Sequence, residues 1–288
     1  MTDQLAKPSP ARAEKVPEAV PGPVSIAELE ARGRKRRRRE SGLVLGTQIL
    51  IAIALVAGMY ALNATSGKLI MPRPDDVLAQ SIRLWSDGTM LKALGESLTV
   101  LLLGYLISAV TGILGGALLG GFHYVSRVLD PYVNALNSTP GAAFIPLIIV
   151  WFGLYTEAKV VLVWNAAFFP ILINTAAGIA NANRDLLEMG RAFGARRREL
   201  FWNVMIPDAL PSILSGLRIG AAISTVGTVI AELTMAQSGL GGLLAQAGNR
   251  FQMDKYFAVV IVLMALGTAI TALLRFVERR VGAWRVTT

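Results

Sequence analysis

Cysteine is absent from the 288 residues, histidine occurs once, at His123, and ionised side chains make up only 16% of the chain. Without cysteine there is no disulfide framework, no thiolate metal site and no thiol nucleophile. His123 has no evident acidic partner and stands in no His-Glu-x-x-His pattern, so a metal ion held by this chain is not expected. No Gly-x-x-x-x-Gly-Lys-Ser/Thr loop occurs either, which removes the usual phosphate cradle of an ATPase. The expectation is a chain that is not itself an enzyme and binds no cofactor.

What the chain has instead is apolar surface in long blocks. Apolar residues make up 53% of the sequence, and the mean hydropathy is +0.53. A soluble protein of this size needs a charged surface, whereas here the ionised groups are nearly excluded from runs of about 20 residues. Those runs lie at 43–62, 97–119, 132–152, 158–180, 212–233 and 256–274, each long enough to cross a bilayer as a helix. The fold class expected is therefore all-α, a polytopic membrane protein with about six transmembrane helices.

A net charge of +9 is compatible with nucleic-acid binding, but the arginines gather at the ends of the apolar runs and in one tail. That distribution is what membrane orientation produces, and no basic face interleaved with aromatics accompanies it, so nucleic acid is not an expected partner. Residues 1–42 read as a disordered basic tail with a short helix near 25–32, ending in the run at 34–39 directly before the first apolar block. With the tail inside, Arg184, Arg191, Arg196, Arg197, Arg198, Arg275, Arg279 and Arg280 also fall inside. Few cations fall outside: Lys68, Arg73, Arg83, Lys92, Lys159, Arg250 and Lys255. Both termini are thus expected in the cytoplasm of a multi-pass protein of the cell (inner) membrane, the transmembrane domain being 43–288.

Between the first two blocks, Pro74, Asp75 and Asp76 open a stretch with Val77, Leu78, Ile82 and Trp85 at helical spacing. It reads as a short aspartate-capped helix along the outer surface. Small residues recur every fourth position in the second block (Gly104, Ser108, Gly112, Gly116, Gly120) and in the fifth (Ser212, Gly216, Gly220, Ser224, Thr228). Such stripes let helix backbones approach where hydrophobic force between helices is lacking, so the spans are expected to pack as a bundle. In the third block, Pro140 and Pro146 interrupt the ladder beside Asn134, Asn137, Ser138 and Thr139. Two readings of that segment fit, the lining of a passage and a packing kink. Arg218 and Glu232 are the charges within the fifth block; Arg218 is placed to snorkel and Glu232 to reach the outer interface, with gating as the other reading.

The inner connection 181–211 carries two amphipathic helical patterns meeting at Gly194, with Pro207 expected to stop the second. An apolar and basic helical hairpin exposed to water calls for a partner groove. Here the chain resembles the permease subunits of binding-protein-dependent ATP-binding-cassette importers. Their loop signature is Glu-Ala-Ala, three residues, Gly, nine residues, Ile, one residue, Leu-Pro. The match is Glu188-Met189-Gly190, Gly194, Val204 and Ile206-Pro207, with every spacing kept. Further similarity runs through 140–147, 151–153, 174–178, Ala231-Glu232 and Ser238-Gly239-Leu240-Gly241, and is closest in kind to the nitrate, sulfonate and taurine branch. It covers about 72–284.

That resemblance implies the type I importer (MetI-like) transmembrane fold, with a permease core at 90–275. It implies two permease chains, as a homodimer, with two ATP-binding-cassette ATPase subunits holding ATP and Mg, and an extracytoplasmic solute-binding protein. Glu188, Met189, Gly190, Arg191, Ala192, Phe193, Gly194 and Pro207 would form the ATPase-coupling element. Asn137, Thr139, Pro140, Pro146, Thr225 and Glu232 would belong to the translocation path or gate. A small organic or inorganic anion is the implied cargo. The competing class is a channel or secondary transporter that works without partner subunits.

Overall fold

Apolar runs of this length can satisfy their backbone groups internally only as helices, since lipid offers no hydrogen-bond partners. The computed structural model describes residues 26–235 and 238–282, and every regular element among them is helical. The chain divides into two units, Met1–Gly58 and Met59–Thr288. In the first, the expected tail lies outside the described residues up to residue 25. From Ile26 the backbone is helical, as the start of α1 (Ile26–Ser66), whose apolar stretch Gly46–Ser66 is long enough to cross a membrane.

The second unit contains α2 (Pro74–Ser86), α3 (Thr89–Gly121), α4 (His123–Ser138), α5 (Ile145–Phe152) and α6 (Thr156–Ala180). It continues with α7 (Arg184–Ala192), α8 (Arg197–Leu200), α9 (Ile206–Thr234), α10 (Gly239–Asn249) and α11 (Met253–Gly282). Five helical runs have the length and apolar content of a span: Gly46–Ser66, Thr89–Gly121, Thr156–Ala180, Arg197–Thr234 and Met253–Phe276. A sixth is reached if α4 and the segment Gly141–Phe152, bent by 89°, count as one crossing.

Three local expectations are corrected. The third block is no single interrupted helix over 132–152: it begins at His123 and turns by 89°. Pro140 excludes the helical conformation at Thr139, whose φ and ψ are −79° and 127°. Pro146, by contrast, sits in the first turn of α5, where a missing N–H leaves nothing unpaired. Second, Asp75 and Asp76 lie in the first turn of α2 without capping it; extended Arg73 precedes Pro74, and the two carboxylates face the positive helix end. Third, Pro207 does not stop a helix. The chain passes from α8 through a π-turn, Phe201–Met205, straight into α9, giving one helical run Arg197–Thr234. The Ile206 N–H reaches back five residues to the Phe201 carbonyl, and this wider turn lets the ladder continue past the residue that lacks a donor.

The two small-residue stripes close on the same partner, α6. On one side, a Cβ added at Gly104 would lie 2.6 Å from Val163 Cβ, and one at Gly116 2.6 Å from the Leu172 carbonyl oxygen. Ser108 is buried between them and donates to the Trp164 carbonyl at 2.9 Å. On the other side, a Cβ at Gly216 would lie 2.8 Å from Asn174 Cβ, and one at Gly220 2.8 Å from Ile171 Cδ1. The stripes thus clamp α6 between α3 and α9, where close backbone approach and dispersion supply the attraction that lipid does not. Arg218 does not snorkel free; its guanidinium meets the Glu278 carboxylate of α11 at 2.9 Å, both side chains partly exposed.

Candidate functional site

The hairpin between α6 and α9 is built by local backbone chemistry. Asn183 caps α7, its side-chain oxygen accepting from the Asp185 N–H at 2.9 Å and the Leu186 N–H at 3.4 Å. Its own N–H donates to Asp208 Oδ2 at 2.9 Å, which ties the start of α7 to the first turn of α9. At the other end Gly194 takes φ +80°. The Gly194 N–H donates to the Arg191 carbonyl and the Ala195 N–H to the Gly190 carbonyl, both at 2.9 Å. These paired bonds with a left-handed glycine form a Schellman stop, as the sequence spacing predicts. The Glu199 carboxylate then accepts from the Arg196 N–H at 2.7 Å and starts α8.

Leu200, buried, closes the hairpin on Gly190: a Cβ there would lie 2.5 Å from Leu200 Cδ2. Packing on that inner side leaves the other side bare. Leu186, Met189 and Phe193 are exposed, Phe193 to 85%. With Pro207, Asn203 and Val204, they edge a cleft of about 420 Å³. Glu188, Arg191, Ala192 and Gly194 are exposed as well, so the residues singled out by the loop signature lie together on an accessible projection.

A second feature is a cavity of about 300 Å³ between the α4–α5 bend, α6 and α9. Asn137, Thr139 and Gly141 reach it from the bend, Asn165 and Phe169 from α6, and Ile223, Val226 and Gly227 from α9. Of the residues proposed from sequence for a path, Asn137 and Thr139 are brought together here. Pro140 and Pro146 shape the bend without lining the cavity. Thr225 turns elsewhere, its methyl 3.7 Å from where a Cβ on Gly267 of α11 would stand. Asn165 escaped the sequence reading, although an amide within an apolar span was the signal that could have found it.

The third feature corrects the reading of Glu232. Rather than reaching the outer interface, it is fully buried. The Ser97 hydroxyl of α3 donates to its carboxylate, and the Gly241 N–H donates to Oε2 at 2.8 Å. Ser97 Oγ in turn accepts from the Leu240 N–H at 2.8 Å, and Glu96 Oε2 accepts from the Gly239 N–H at 2.8 Å. Three amides at the start of α10 thereby find acceptors on α3 and α9, with the helix dipole favouring the negative groups. Buried Lys159 of α6 joins from the side, donating to the Ser238 hydroxyl. Gly239, at φ +71°, is required twice over, since a Cβ would also lie 2.1 Å from Glu232 Oε1. Glu96, Ser97 and Lys159 were missed from sequence because their partners lie far along the chain.

Among the described residues no group of three or more His, Cys, Asp or Glu side chains is placed to hold a metal ion. The three features are a projecting hairpin, a largely apolar cavity with Asn137, Thr139 and Asn165 on its wall, and a polar clamp.

Residues 108–283 match the family described as binding-protein-dependent transport system inner membrane component. A protein of Bacillus subtilis provisionally named the aliphatic sulfonates transport permease SsuC is 32% identical over 253 residues, covering 88% of this chain and 90% of that one. The taurine transport system permease protein TauC of Escherichia coli is 31% identical, over 85% of this chain and 90% of its own length. Among solved structures, an inward-facing MetNI methionine ABC transporter superposes with a TM-score of 0.59 at 22% identity. That match covers 65% of this chain and 94% of the other, and at that identity it shows the fold.

Proposed function

We propose a working arrangement for this chain on the premise that it belongs to the binding-protein-dependent transport system inner membrane component family and is a multi-pass permease subunit of an ABC importer. Permeases of this kind work with ATPase subunits. In the proposed assembly two copies of this chain form a homodimer, two ATPase subunits attach on the cytoplasmic side, and a solute-binding protein delivers cargo from outside. Both termini face the cytoplasm, ATP and Mg belong to the ATPase subunits, and this chain binds no cofactor and catalyses no reaction of its own.

One observation carries the mechanism: a helix with an exposed apolar edge is locked to the start of a long span. Leu186, Met189 and Phe193 offer that edge to a groove of the ATPase. The Schellman stop at Gly194, the Gly190–Leu200 contact and the Asn183–Asp208 bond make α7 rigid against α9. Displacement of α7 when the ATPase dimer closes is therefore passed to the helical run Arg197–Thr234 without being absorbed in the loop. Since α9 walls the cavity holding Asn137, Thr139 and Asn165, its movement changes the width of that cavity. Neutral amide and hydroxyl donors suit an anionic cargo that must be bound weakly enough to leave.

The cargo proposed is a small sulfonate such as taurine, on the strength of the relatives named for such compounds. The outer segment containing α10 would receive the binding protein. Reconstitution in vesicles tests the arrangement. Uptake of taurine or an alkanesulfonate is expected only when the ATPase subunits, ATP and the binding protein are all present. Robust flux through this chain alone would overturn it.

A further inference from the structure

We infer that this chain carries a built site for an anionic diacyl phospholipid at the membrane edge between the end of α3 and the start of the α8–α9 run. The span Thr89–Gly121 ends where the span Arg197–Thr234 begins, so both enter the bilayer boundary there. A cleft of about 400 Å³ opens at that point, lined by Gly121, Phe122, Phe201, Trp202 and Met205, with Arg197 and Arg198 on it. Its walls are apolar and aromatic, and the two guanidinium groups are the only charges among the lining residues. One end fits acyl chains and the other a phosphodiester.

The arrangement is specific. Arg197 lies over the Phe122 ring, 5.5 Å from its centroid, which holds the guanidinium in place while leaving its N–H edge free for phosphate oxygens. Phe201 and Trp202 meet edge to face at 5.5 Å. Phe201 can come this close to α3 because Gly121 has no side chain: a Cβ there would lie 2.7 Å from Phe201 Cε2. Trp202 and Phe122 remain about half exposed, as aromatic side chains at headgroup depth do.

The cleft is also distinct from the one beside the coupling helix. Arg198, Phe201, Trp202 and Met205 line this cleft, while Asn203, Val204, Pro207 and Asp208 line the one beside α7, and the two have no lining residue in common. A partner seated on α7 leaves this site to lipid, and basic pockets between spans at a membrane surface select anionic headgroups.

Native mass spectrometry of the full chain, extracted from vesicles of mixed phosphatidylglycerol and phosphatidylcholine, tests the site. One phosphatidylglycerol retained per chain is expected, with retention falling about thirtyfold in an Arg197→Gln/Arg198→Gln double variant. Trp202→Ala, which keeps both charges, should weaken it less, and an unchanged thermal midpoint would separate lipid loss from misfolding. Excess inorganic phosphate should leave the lipid bound. Equal retention of the two lipids, retention undiminished in the double variant, displacement by phosphate, or exclusion of the lipid once the ATPase subunits are bound would each overturn the site. Those outcomes leave the permease reading standing, since it is read from ATP-dependent uptake.

Discussion

The Ser97 hydroxyl lies 2.8 and 2.9 Å from the two Glu232 carboxylate oxygens, joining α3 to α9 across 135 residues of sequence. Because Glu232 is fully buried, its carboxyl oxygens depend on that hydroxyl and on the Gly241 N–H for hydrogen bonds. Removing either partner leaves a buried polar group unpaired.

Ser97→Ala is therefore expected to destabilise the bundle by about 1–3 kcal/mol. Glu232→Ala should cost at least as much, because it strands Ser97 and the Gly241 amide together. Thermal unfolding in detergent checks the order. The segment around α10 should also become protease-sensitive in both variants, since its first amides lose their acceptors. Equal stability of Ser97→Ala and the parent would contradict the clamp.

Gly194 and Gly190 should answer differently to substitution. At Gly194 there is open space but φ is +80°, so Gly194→Val carries about 1–3 kcal/mol of backbone strain, whereas Gly194→Asn carries less. At Gly190 the obstacle is the tip of a flexible leucine, which Gly190→Ala can push aside. Uptake by the assembled importer is expected to collapse in Gly194→Val with ATP hydrolysis continuing, and to persist in Gly190→Ala and Gly194→Asn.

Phe193 is 85% exposed, so Phe193→Ala should leave the thermal midpoint unchanged. As a central apolar anchor it should nevertheless cost about 2 kcal/mol in ATPase binding, roughly a thirtyfold weaker complex. Titrating the purified ATPase onto membranes carrying the variant measures this directly. Unchanged affinity would remove Phe193 from the docking edge.

Asn165→Leu and Asn137→Leu each replace an amide on the cavity wall by a bulkier apolar group while leaving the hairpin alone. Both are expected to lower uptake at least tenfold with ATPase binding intact. Thr225→Val, on a residue turned toward Gly267, should be close to neutral. If the three variants behave alike, the cavity is not the path.

Much of this was open to reading along the chain. The Gly194 stop and the order of the hairpin residues follow from local hydrogen bonds that span a few positions. Both small-residue stripes were visible, though not that α6 receives them on its two sides. Glu232 was misjudged because distance to the end of a helix says nothing about which neighbour covers it, and Ser97 lies far upstream. Pro207 was misjudged for a related reason: a π-turn can step around a missing donor, and residue type does not announce one.

The sequence by itself determined that the chain is helical, lives in lipid and exposes a glycine-stopped hairpin. Each of those depends on transfer free energy and backbone bonding within a turn or two. Only the tertiary structure decided that Asn137, Thr139 and Asn165 share a cavity, that Glu232 is buried against Ser97, and that Arg197 and Arg198 stand on an aromatic cleft. Those groupings bring together side chains from separate helices. Their meeting is set by which helix faces interlock, a property of the packed bundle that no single segment carries.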